Sequence, residues 1–279
     1  MRLSFTKMQG CGNDYLYFDC FEQVLPDPTA LARRLSDRHF GVGGDGIILI
    51  GPSDVADAQM RIFNADGSEG RMCGNGIRCV GKYLHDAGRV RQPRLTVETL
   101  SGVKTLDLHL EDGTVCAVTV DMGPYGLAPG CIPANLPGDS VVGRAVDVAG
   151  GTYVLTCVSM GNPHCVVFVP DVAAVPLKDV GPRFEHSPLF PERINTEFVQ
   201  VLGPQELRMR VWERGSGETW ACGTGACAAA VAAVLNGRCQ DSQPIVVHLV
   251  GGDLTIVVTS ETVRMTGEAV RVFDGTVEA

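Results

Sequence analysis

The sequence predicts an α/β (α+β) protein that is built from two similar halves. Short apolar strand-like runs alternate with a few helical segments in each half, and several motifs recur at one fixed separation of 149 positions. A shared offset across separated motifs indicates a duplicated unit. The matched pairs are Asn13 and Asn162, Cys73 and Cys222, and Gly88 and Gly237.

Composition and charge restrict the classes of function. Apolar residues make up 45% of the 279-residue chain and charged residues 20%, which is typical of a globular protein with a substantial core. The formal charge is −9 and no basic run is present, so we expect neither nucleic acid nor a membrane as a partner. The N-terminal residues lack the apolar stretch of a signal peptide, and the 11 cysteines lack the spacing of a secreted scaffold. We therefore expect a cytoplasmic protein whose cysteines are free thiols.

The first half combines short strands with two helices. Residues 3–18 predict two strands joined by a turn at 10–14, and Gly88 is a fitting C-terminal glycine for the second helix. The pair Asp112-Gly113 predicts a tight hairpin. The predicted helices are 28–38 and 74–87, and the further strands are 47–50, 59–64, 95–98, 104–110 and 115–121.

The second half repeats this order after a Gly- and Pro-rich stretch at 123–138, which predicts the crossing between the halves. An alanine-rich helix is predicted at 223–235. Because alanine lets neighbours approach closely, we expect this helix to be buried within its own sheet. The predicted strands are 153–159, 164–169, 196–201, 206–211, 245–249, 254–259, 262–266 and 269–273, of which the last is able to pair with either half.

Cys73 and Cys222 each stand where a loop runs into a predicted helix. A helix N-terminus presents unpaired N–H groups and a partial positive charge, which predict a thiol pKa below the free value of about 8.5. The same amides bind a carboxylate. Two thiols that face one cleft suit a reaction that removes a proton from one side of a carbon and returns it to the other. We therefore expect the two sulfurs to meet across a shared pocket, on opposite sides of an amino-acid α-carbon.

The same residues permit other interpretations. Four thiols are available for zinc, but their C-x5-C and C-x4-C spacings differ from the usual C-x2-C. Residues 41–46 match G-x-G-x-x-G but precede a strand, whereas a dinucleotide site needs a helix there. A pyridoxal enzyme needs a Schiff-base lysine, and no lysine has a persuasive setting. A non-catalytic zinc- or ligand-binding module is the alternative to an enzyme; its thiols would be Cys73, Cys79, Cys222 and Cys227.

Polar side chains in matched positions accompany the two cysteines. Glu213 precedes Cys222 by the nine positions that separate Asn64 from Cys73, and both follow a predicted strand. Adjacent charges such as Glu213 and Arg214 usually form a solvated pair, but the matched offset favours a site. The further candidates are four asparagines able to hold amino and carboxylate groups, and one histidine that either packs in the core or tunes a thiol: Asn13, Asn64, Asn162, Asn195 and His164.

Six segments, in this order, carry a specific set of motifs: Lys7–Asp14, Asn64–Ser68, Met72–Cys79, Gly161–His164, Glu213–Gly215 and Ala221–Gly225. They span nearly the whole chain. In this combination and order they resemble the diaminopimelate epimerase family.

The resemblance implies an isomerase that interconverts LL- and meso-diaminopimelate for lysine and peptidoglycan synthesis, with no cofactor and no metal. It implies two pseudo-symmetric domains, each a mixed curled β-sheet around a central helix. Residues 1–121 and 267–279 would form the first domain, to which the C-terminal strand returns, and residues 122–266 the second. Family members are commonly homodimers, so we expect a homodimer acting on a small amino-acid substrate.

The resemblance also implies a role for each matched residue. Cys73 and Cys222 would be the two acid/base residues, one as thiolate and one as thiol. The backbone at Gly74-Asn75 and Gly223-Thr224 would hold the reacting carboxylate. The side chains that hold the substrate would be Asn13, Asn64, Asn162, Asn195, Glu213 and Arg214.

Two departures from the family pattern and one related group bear on the interpretation. Some family members carry a substrate-contacting glutamine where Gly46 stands, and a leucine is more usual at Cys11. Isomerases of the phenazine-biosynthesis type are related, but that group tends to lack the paired cysteines. Family members that act on other amino acids share the two-thiol frame, so the reaction is better defined than the substrate.

Overall fold

The computed structural model describes residues 1–278, and Ala279 lies outside the described residues. The chain divides into two units: Met1–Asp121 together with the residues from Thr266 onward, and Met122–Met265. The boundaries inferred from the sequence stand at 121/122 and 266/267. Each unit combines a mixed sheet with two helices, so the predicted α+β class with two pseudo-symmetric domains is confirmed.

The sheet of the first unit runs β18-β1-β2-β3-β4-β6-β7-β8, with β5 as a second, short partner of β4. The β2–β3 and β4–β6 pairs are parallel and the others antiparallel. The strands are β1 (Arg2–Gly10), β2 (Asn13–Asp19), β3 (Gly46–Gly51), β4 (Ala58–Asn64), β5 (Glu69–Gly70), β6 (Arg94–Thr99), β7 (Gly102–Glu111), β8 (Thr114–Gly123) and β18 (Val270–Glu278), and the helices are α1 (Pro28–Leu35) and α2 (Gly74–Asp86).

The sheet of the second unit runs β9-β10-β11-β12-β13-β15-β16, with β14 on β13. Here β11–β12 and β13–β15 are the parallel pairs. The strands are β9 (Arg144–Val148), β10 (Gly151–Ser159), β11 (Pro163–Phe168), β12 (Asn195–Gly203), β13 (Glu206–Glu213), β14 (Gly217–Thr219), β15 (Pro244–Leu249), β16 (Gly252–Val258) and β17 (Val263–Glu268), and the helices are α3 (Leu177–Glu185) and α4 (Gly223–Leu235).

The duplication extends to the register of the strands. In the first unit Tyr15 of β2 lies opposite Gly46 of β3, and Gly46 lies opposite Asn64 of β4. In the second unit His164 of β11 lies opposite Asn195 of β12, each 149 positions later. Since register decides which face each side chain occupies, matched residues occupy matched places in the two units.

Helices α2 and α4 are the buried helices around which the two sheets pack. α2 contacts β1, β2 and β7, and α4 contacts β10, β11, β12, β13, β15 and β16. The alanine-rich α4 is buried on every face, which is the expected state of a helix that is apolar all round. Gly88 and Gly237 follow the two helices with φ of 68° and 64°, as predicted for C-terminal glycines.

The structure differs from the sequence-based elements in several places. Helix α3 and the strands β5, β9 and β14 were not predicted. Helix α3 carries Pro182 in its interior, which masks its helical pattern. Helix α1 ends at Leu35, before the predicted residue 38. The last strand runs from Val270 to Glu278 and pairs antiparallel with β1, so it belongs to the first unit, as the resemblance implied.

Candidate active site

The first-unit site is centred on Cys73, the residue that precedes helix α2. Its backbone is extended, and its Sγ accepts a hydrogen bond from the N–H of Gly76 at 3.3 Å, which caps one free amide of the first helical turn. The thiol also donates to Oδ1 of Asn13 at 3.2 Å. The sulfur is therefore held at the helix N-terminus by a backbone donor and a neutral acceptor.

The side chain of Asn13 is fixed by a tight turn and a carboxylate. Cys11 and Gly12 have φ of 53° and 79°, the two-residue hairpin turn in which both central residues are left-handed, and they place Asn13 at the start of β2. Nδ2 of Asn13 donates to Oδ2 of Asp45 at 2.6 Å, which leaves Oδ1 for the thiol. The predicted residue Asn75 is buried nearby, and Nη1 of Arg78 donates to its Oδ1 at 3.0 Å.

Asn64 is the last residue of β4, and its Nδ2 donates to Oγ of Ser68 at 3.0 Å. Gly46, opposite Asn64, has no room for a side chain, because a Cβ there would overlap the backbone oxygen of Phe63. The ring of Tyr15 fills the adjacent space, 3.0 Å from that Cβ position. A glutamine contact from position 46 is therefore not available in this backbone.

The second-unit site is centred on Cys222, which precedes helix α4 in the same extended conformation. Its Sγ lies 3.6 Å from Oγ1 of Thr224, and that hydroxyl accepts a hydrogen bond from Nδ2 of Asn162 at 3.3 Å. Burial raises the pKa of the Cys222 thiol well above its ordinary value, and the carboxylates of Glu213 and Glu197 raise it further. The expectation of a pKa below the free value is therefore wrong for Cys222, although the backbone N–H of Gly225 in the first helical turn acts to lower it.

Glu213 and Asn195 shape the loop that follows β13. Burial raises the pKa of the Glu213 carboxyl, although hydrogen bonds from Thr219 and Cys222 act in the opposite direction. Asn195 is buried; its Nδ2 donates to the backbone oxygen of Pro163 at 2.8 Å and its Oδ1 accepts from the backbone N–H of Arg214 at 2.9 Å. The Arg214 side chain is exposed, which leaves the guanidinium accessible to an anionic group.

His164 is fully buried and makes two polar contacts. Its Nδ1 lies 2.7 Å from Oε1 of Glu197, and its Nε2 lies 3.0 Å from Oδ1 of Asn162. His164 is therefore a core residue, and it contacts Asn162, whose amide donates to Thr224. That it tunes a thiol stays a prediction.

Sequence reasoning missed three residues that contact the candidates: Tyr15, Asp45 and Glu197. Alternation along a strand supplies a signal for two of them. Tyr15 stands two positions after Asn13, and Glu197 two positions after Asn195, so each shares a face with a predicted site residue. Asp45 follows a glycine-rich loop, and no pattern in the sequence pairs it with Asn13.

The described residues were compared with the requirements of a metal site, a membrane span and a disulfide. Within residues 1–278 no group of three or more His, Cys, Asp or Glu side chains is arranged to hold a metal ion. In that same range no helix is long and apolar enough to cross a membrane. All 11 cysteines are free thiols.

Several solved structures share the fold of this chain. A probable proline racemase from Agrobacterium radiobacter K84 matches with a TM-score of 0.75 at 15% identity, covering 99% of this chain and 93% of its own. A predicted epimerase from Pseudomonas aeruginosa matches at 0.73 and 18%, covering 99% of each chain. A PhzF-family phenazine biosynthesis protein from Bacillus anthracis matches at 0.72 and 17%, covering 100% of each. At these identities the likeness shows the fold alone.

Sequence comparison identifies the family. The model of the diaminopimelate epimerase family matches residues 5–128 and 156–272. The diaminopimelate epimerase of Acetivibrio thermocellus is 52% identical over 99% of this chain and 99% of its own length. That of Desulfovibrio desulfuricans is 54% identical over 98% of this chain and 97% of its own. The chain belongs to the diaminopimelate epimerase family, which confirms the resemblance inferred from the motifs.

Proposed function

We propose that this chain is an isomerase that converts LL-diaminopimelate to meso-diaminopimelate in lysine and peptidoglycan biosynthesis. The observation that carries the proposal is the family match in both halves, supported by relatives above 50% identity that bear this name. The reaction inverts one α-carbon of the substrate. It needs a base on one face of that carbon and an acid on the other.

Cys73 and Cys222 are the groups that we assign to these two roles. Each lies immediately before the first turn of a buried helix, at matched positions of the duplicated unit. One thiolate removes the α-proton as the C–H electron pair moves onto the carbon and its carboxylate. The other thiol then donates its proton to the opposite face, and the two sulfurs finish with their protonation states exchanged. Atoms and electrons balance without a cofactor.

The charges around Cys222 support an assignment of which cysteine holds the proton before the reaction. Burial and two carboxylates keep the pKa of Cys222 high, so this residue begins as the thiol and acts as the proton donor. Cys73 is therefore assigned the role of the base in the first step. The N–H groups at the starts of α2 and α4 stabilise negative charge on the reacting carboxylate, as helix N-termini do for anions.

The remaining candidates are assigned to substrate binding. The backbone of Gly74-Asn75 and of Gly223-Thr224 opens the two helices and is free of bulky side chains at each first position, which suits contact with a carboxylate. Neutral amides accept from an ammonium group and donate to a carboxylate, and Arg214 pairs with the carboxylate of the distal centre. The side chains so assigned are Asn13, Asn64, Asn162, Asn195, Glu213 and Arg214.

We further propose a cytoplasmic homodimer with no nucleic-acid or membrane partner. Free thiols throughout the chain support a reducing compartment. Exposed Val272 and Phe273 on β18 supply apolar surface for a second copy. Analytical ultracentrifugation tests this part, because a monomer at all accessible concentrations would contradict it.

Solvent exchange at the α-carbon tests the proposed reaction. In deuterium oxide, LL- and meso-diaminopimelate are expected to acquire solvent deuterium at the α-carbon without added cofactor, as followed by NMR and mass spectrometry. C73A and C222A are each expected to lower net inversion by about 10²–10⁴-fold, the usual loss for an acid or base. C116A and C131A are the matched controls, because both cysteines are exposed and neither precedes a helix. No exchange by the wild-type protein with either epimer would rule out the activity, and full inversion by either variant would rule out the two-thiol step.

A further inference from the structure

Glu185, the last residue of helix α3, carries a buried carboxylate to which the proposed reaction gives no role. Its Oε2 accepts a hydrogen bond from Nε1 of Trp212 at 2.7 Å, and its Oε1 accepts one from the backbone N–H of Gly215 at 2.9 Å. The exposed guanidinium of Arg193 lies 3.3 Å from Oε1. Burial acts to raise the pKa of the Glu185 carboxyl, but its hydrogen bonds and the charge of Arg193 more than offset burial and lower this pKa from its ordinary value. The group is therefore ionised at neutral pH and accepts at both oxygens.

Helix α3 offers a fitted place for the side chain of Trp212. A Cβ at Gly181 would lie 2.4 Å from Cδ2 of Trp212, so the indole ring rests against the helix backbone where this glycine leaves room. Glu185 follows Gly181 by four positions and lies on the same face of the helix, where it reaches the indole N–H. The glycine and the carboxylate, one turn apart, together hold the ring in one orientation.

The other oxygen of Glu185 holds the turn that carries Arg214. Residues 214–216 join β13 to β14 and are exposed, so hydrogen bonds rather than burial fix their path. The backbone N–H of Arg214 donates to Oδ1 of Asn195 at 2.9 Å, and that of the next residue, Gly215, donates to Glu185. Glycine restricts its own backbone least of all residues, so partners outside the turn are needed to fix it. Two side chains from other elements thus set the direction in which the Arg214 side chain leaves the turn.

The first unit lacks this arrangement at the matched positions, although helix α1 begins 149 positions before α3. Where the second unit has a glycine, a carboxylate, an indole and a guanidinium, the first unit has a methyl group, a hydroxyl, a phenyl ring and a second methyl group. A phenyl ring has no N–H that needs an acceptor, and alanine has no charge to place. The residues that match Gly181, Glu185, Trp212 and Arg214 are Ala32, Ser36, Phe63 and Ala65. The buried carboxylate therefore occurs in the unit that has an arginine to position.

We propose that Glu185 is a positioning residue for substrate recognition: by holding the indole of Trp212 and the N–H of Gly215, it fixes the turn from which Arg214 meets the distal carboxylate of the substrate. The role rests on the proposed function, which assigns Arg214 to that carboxylate. Nη1 of Arg214 also donates to the backbone oxygen of Glu192 at 3.1 Å. The carboxylate that ends α3 and the segment that follows α3 therefore hold the arginine at its backbone and at its guanidinium.

Solvent exchange of two N–H groups tests the first step without any substrate. The chain has two tryptophans, so W220F assigns the indole NMR signal of Trp212 by elimination. In the wild-type protein the indole N–H of Trp212 and the backbone N–H of Gly215 are expected to exchange slowly, because both donate to a buried carboxylate. E185L keeps much of the bulk and removes both acceptor oxygens, so it is expected to speed the exchange of both groups by about tenfold or more. Unchanged exchange of either group would overturn the proposal.

Two further variants separate the acceptor role of Glu185 from its bulk and charge. E185Q keeps the bulk but offers one acceptor oxygen to two donors, so at least one of the two N–H groups is expected to exchange faster; wild-type exchange of both would contradict the assigned role. E206L is the matched control, because Glu206 begins β13 and its carboxylate lies 3.0 Å from Nε2 of His248. It is expected to leave both exchange rates unchanged. Faster exchange in E206L would show that loss of any carboxylate loosens the hairpin, and would refute a specific role for Glu185.

Kinetics of deuterium exchange with LL-diaminopimelate test the second step. The distal carboxylate lies away from the reacting carbon, so a misplaced Arg214 is expected to weaken binding and to leave the chemical step unchanged. E185L is expected to raise KM by about 10–100-fold, because a small misplacement of a site group costs up to about 10²-fold. Its kcat is expected to stay within about threefold of the wild-type value. A lower kcat with an unchanged KM would overturn the proposal.

A double-mutant cycle with Arg214 ties this effect to the guanidinium. In an R214A background no guanidinium is left to place, so E185L is expected to change kcat/KM by less than about threefold, because residues that act through one another are not additive. Losses that multiply would refute the coupling. A wild-type KM in E185L would overturn the positioning role and leave the proposed function intact. Absence of exchange by the wild-type protein, with the NMR result intact, would instead refute the proposed function.

Discussion

Gly76 and Gly225 occupy matched positions in the first turns of α2 and α4, and replacing each by alanine tests how the two sites differ. A Cβ at Gly76 would lie 2.6 Å from Cδ1 of Ile48, the far end of a flexible apolar side chain. A Cβ at Gly225 would lie 2.7 Å from Oε1 of Glu197, which the contact with His164 holds in place. The same substitution therefore meets a movable neighbour in one unit and a fixed one in the other.

The expected losses of stability follow from these neighbours. Overpacking costs about 1–3 kcal/mol, and alanine regains about 1 kcal/mol of helix propensity over glycine. We therefore expect G76A to lower the free energy of unfolding by about 0–2 kcal/mol, since Ile48 is able to change rotamer. In G225A the carboxylate must also leave His164, and a hydrogen bond to a charged group contributes about 1.5–3 kcal/mol. G225A is accordingly expected to cost about 2–5 kcal/mol.

Urea denaturation distinguishes the two variants because the spectroscopic probes differ between the units. Both tryptophans, Trp212 and Trp220, belong to the second unit, so their fluorescence reports the unfolding of the unit that carries Gly225. The unfolding of G76A in urea is followed by far-ultraviolet circular dichroism. Equal losses in the two variants, or a larger loss in G76A, would refute the reasoning. In an E197A background, where the fixed neighbour is gone, G225A is expected to cost no more than G76A.

Three further outcomes are expected. Burial alone would raise the pKa of the Asp14 carboxyl, but Lys7 and Arg38 more than offset burial and lower this pKa from 3.8. The ionised carboxylate therefore stabilises the folded state fully above pH 3.8, and this stabilisation is lost as the pH falls through the folded-state pKa. D14N is therefore expected to flatten the pH dependence of the melting temperature below about pH 4, and an unchanged slope would contradict the assignment. E213Q removes one of the carboxylates that raise the pKa of Cys222, so iodoacetamide is expected to label that thiol faster at a fixed pH; an unchanged rate, measured by peptide mass spectrometry, would count against it. G46A is expected to yield little folded protein, because its Cβ would overlap the backbone oxygen of Phe63 and the strand pair would have to shift; normal expression and melting would show that β3 has room.

The duplicated pattern explains why so much of the site is visible in the sequence. When a Gly-X-Gly step begins a helix, the residue before it occupies the N-terminal cap. Cys73 and Cys222 both occupy this position. Asn64 and Glu213 are the last residues of β4 and β13, as the shared offset predicts. These are local features, set by helix ends and strand ends within a few residues of each motif.

The features that the sequence does not reveal depend on contacts between distant segments. The pKa of Cys222 is raised because a buried setting and carboxylates from β12 and β13 outweigh the helix N-terminus, and none of these follows from the motif around Cys222. Asp45 reaches Asn13 only through the parallel pairing of β2 with β3. Helix α3 is stabilised within the second unit, where Phe184 packs in the core, in spite of its internal proline.

The duplicated fold supplies two similar thiols, whereas the ionisable groups around them are unequal. Beside Cys222 the second unit has His164, Glu197 and Glu213; at the matched positions the first unit has Tyr15, Ile48 and Asn64. In the proposed reaction this difference cannot alter the equilibrium between the two epimers, because a catalyst affects both directions equally. It sets instead which sulfur holds the proton before substrate binds, and therefore which epimer the resting enzyme is ready to deprotonate. Exchange of the polar set between the units, with E197I as its first step, is accordingly expected to change the ratio of initial exchange rates for the two epimers and to leave their final ratio unchanged. An unchanged ratio of initial exchange rates would show that the backbone positions of the thiols, and not their charged neighbours, decide which epimer is deprotonated first.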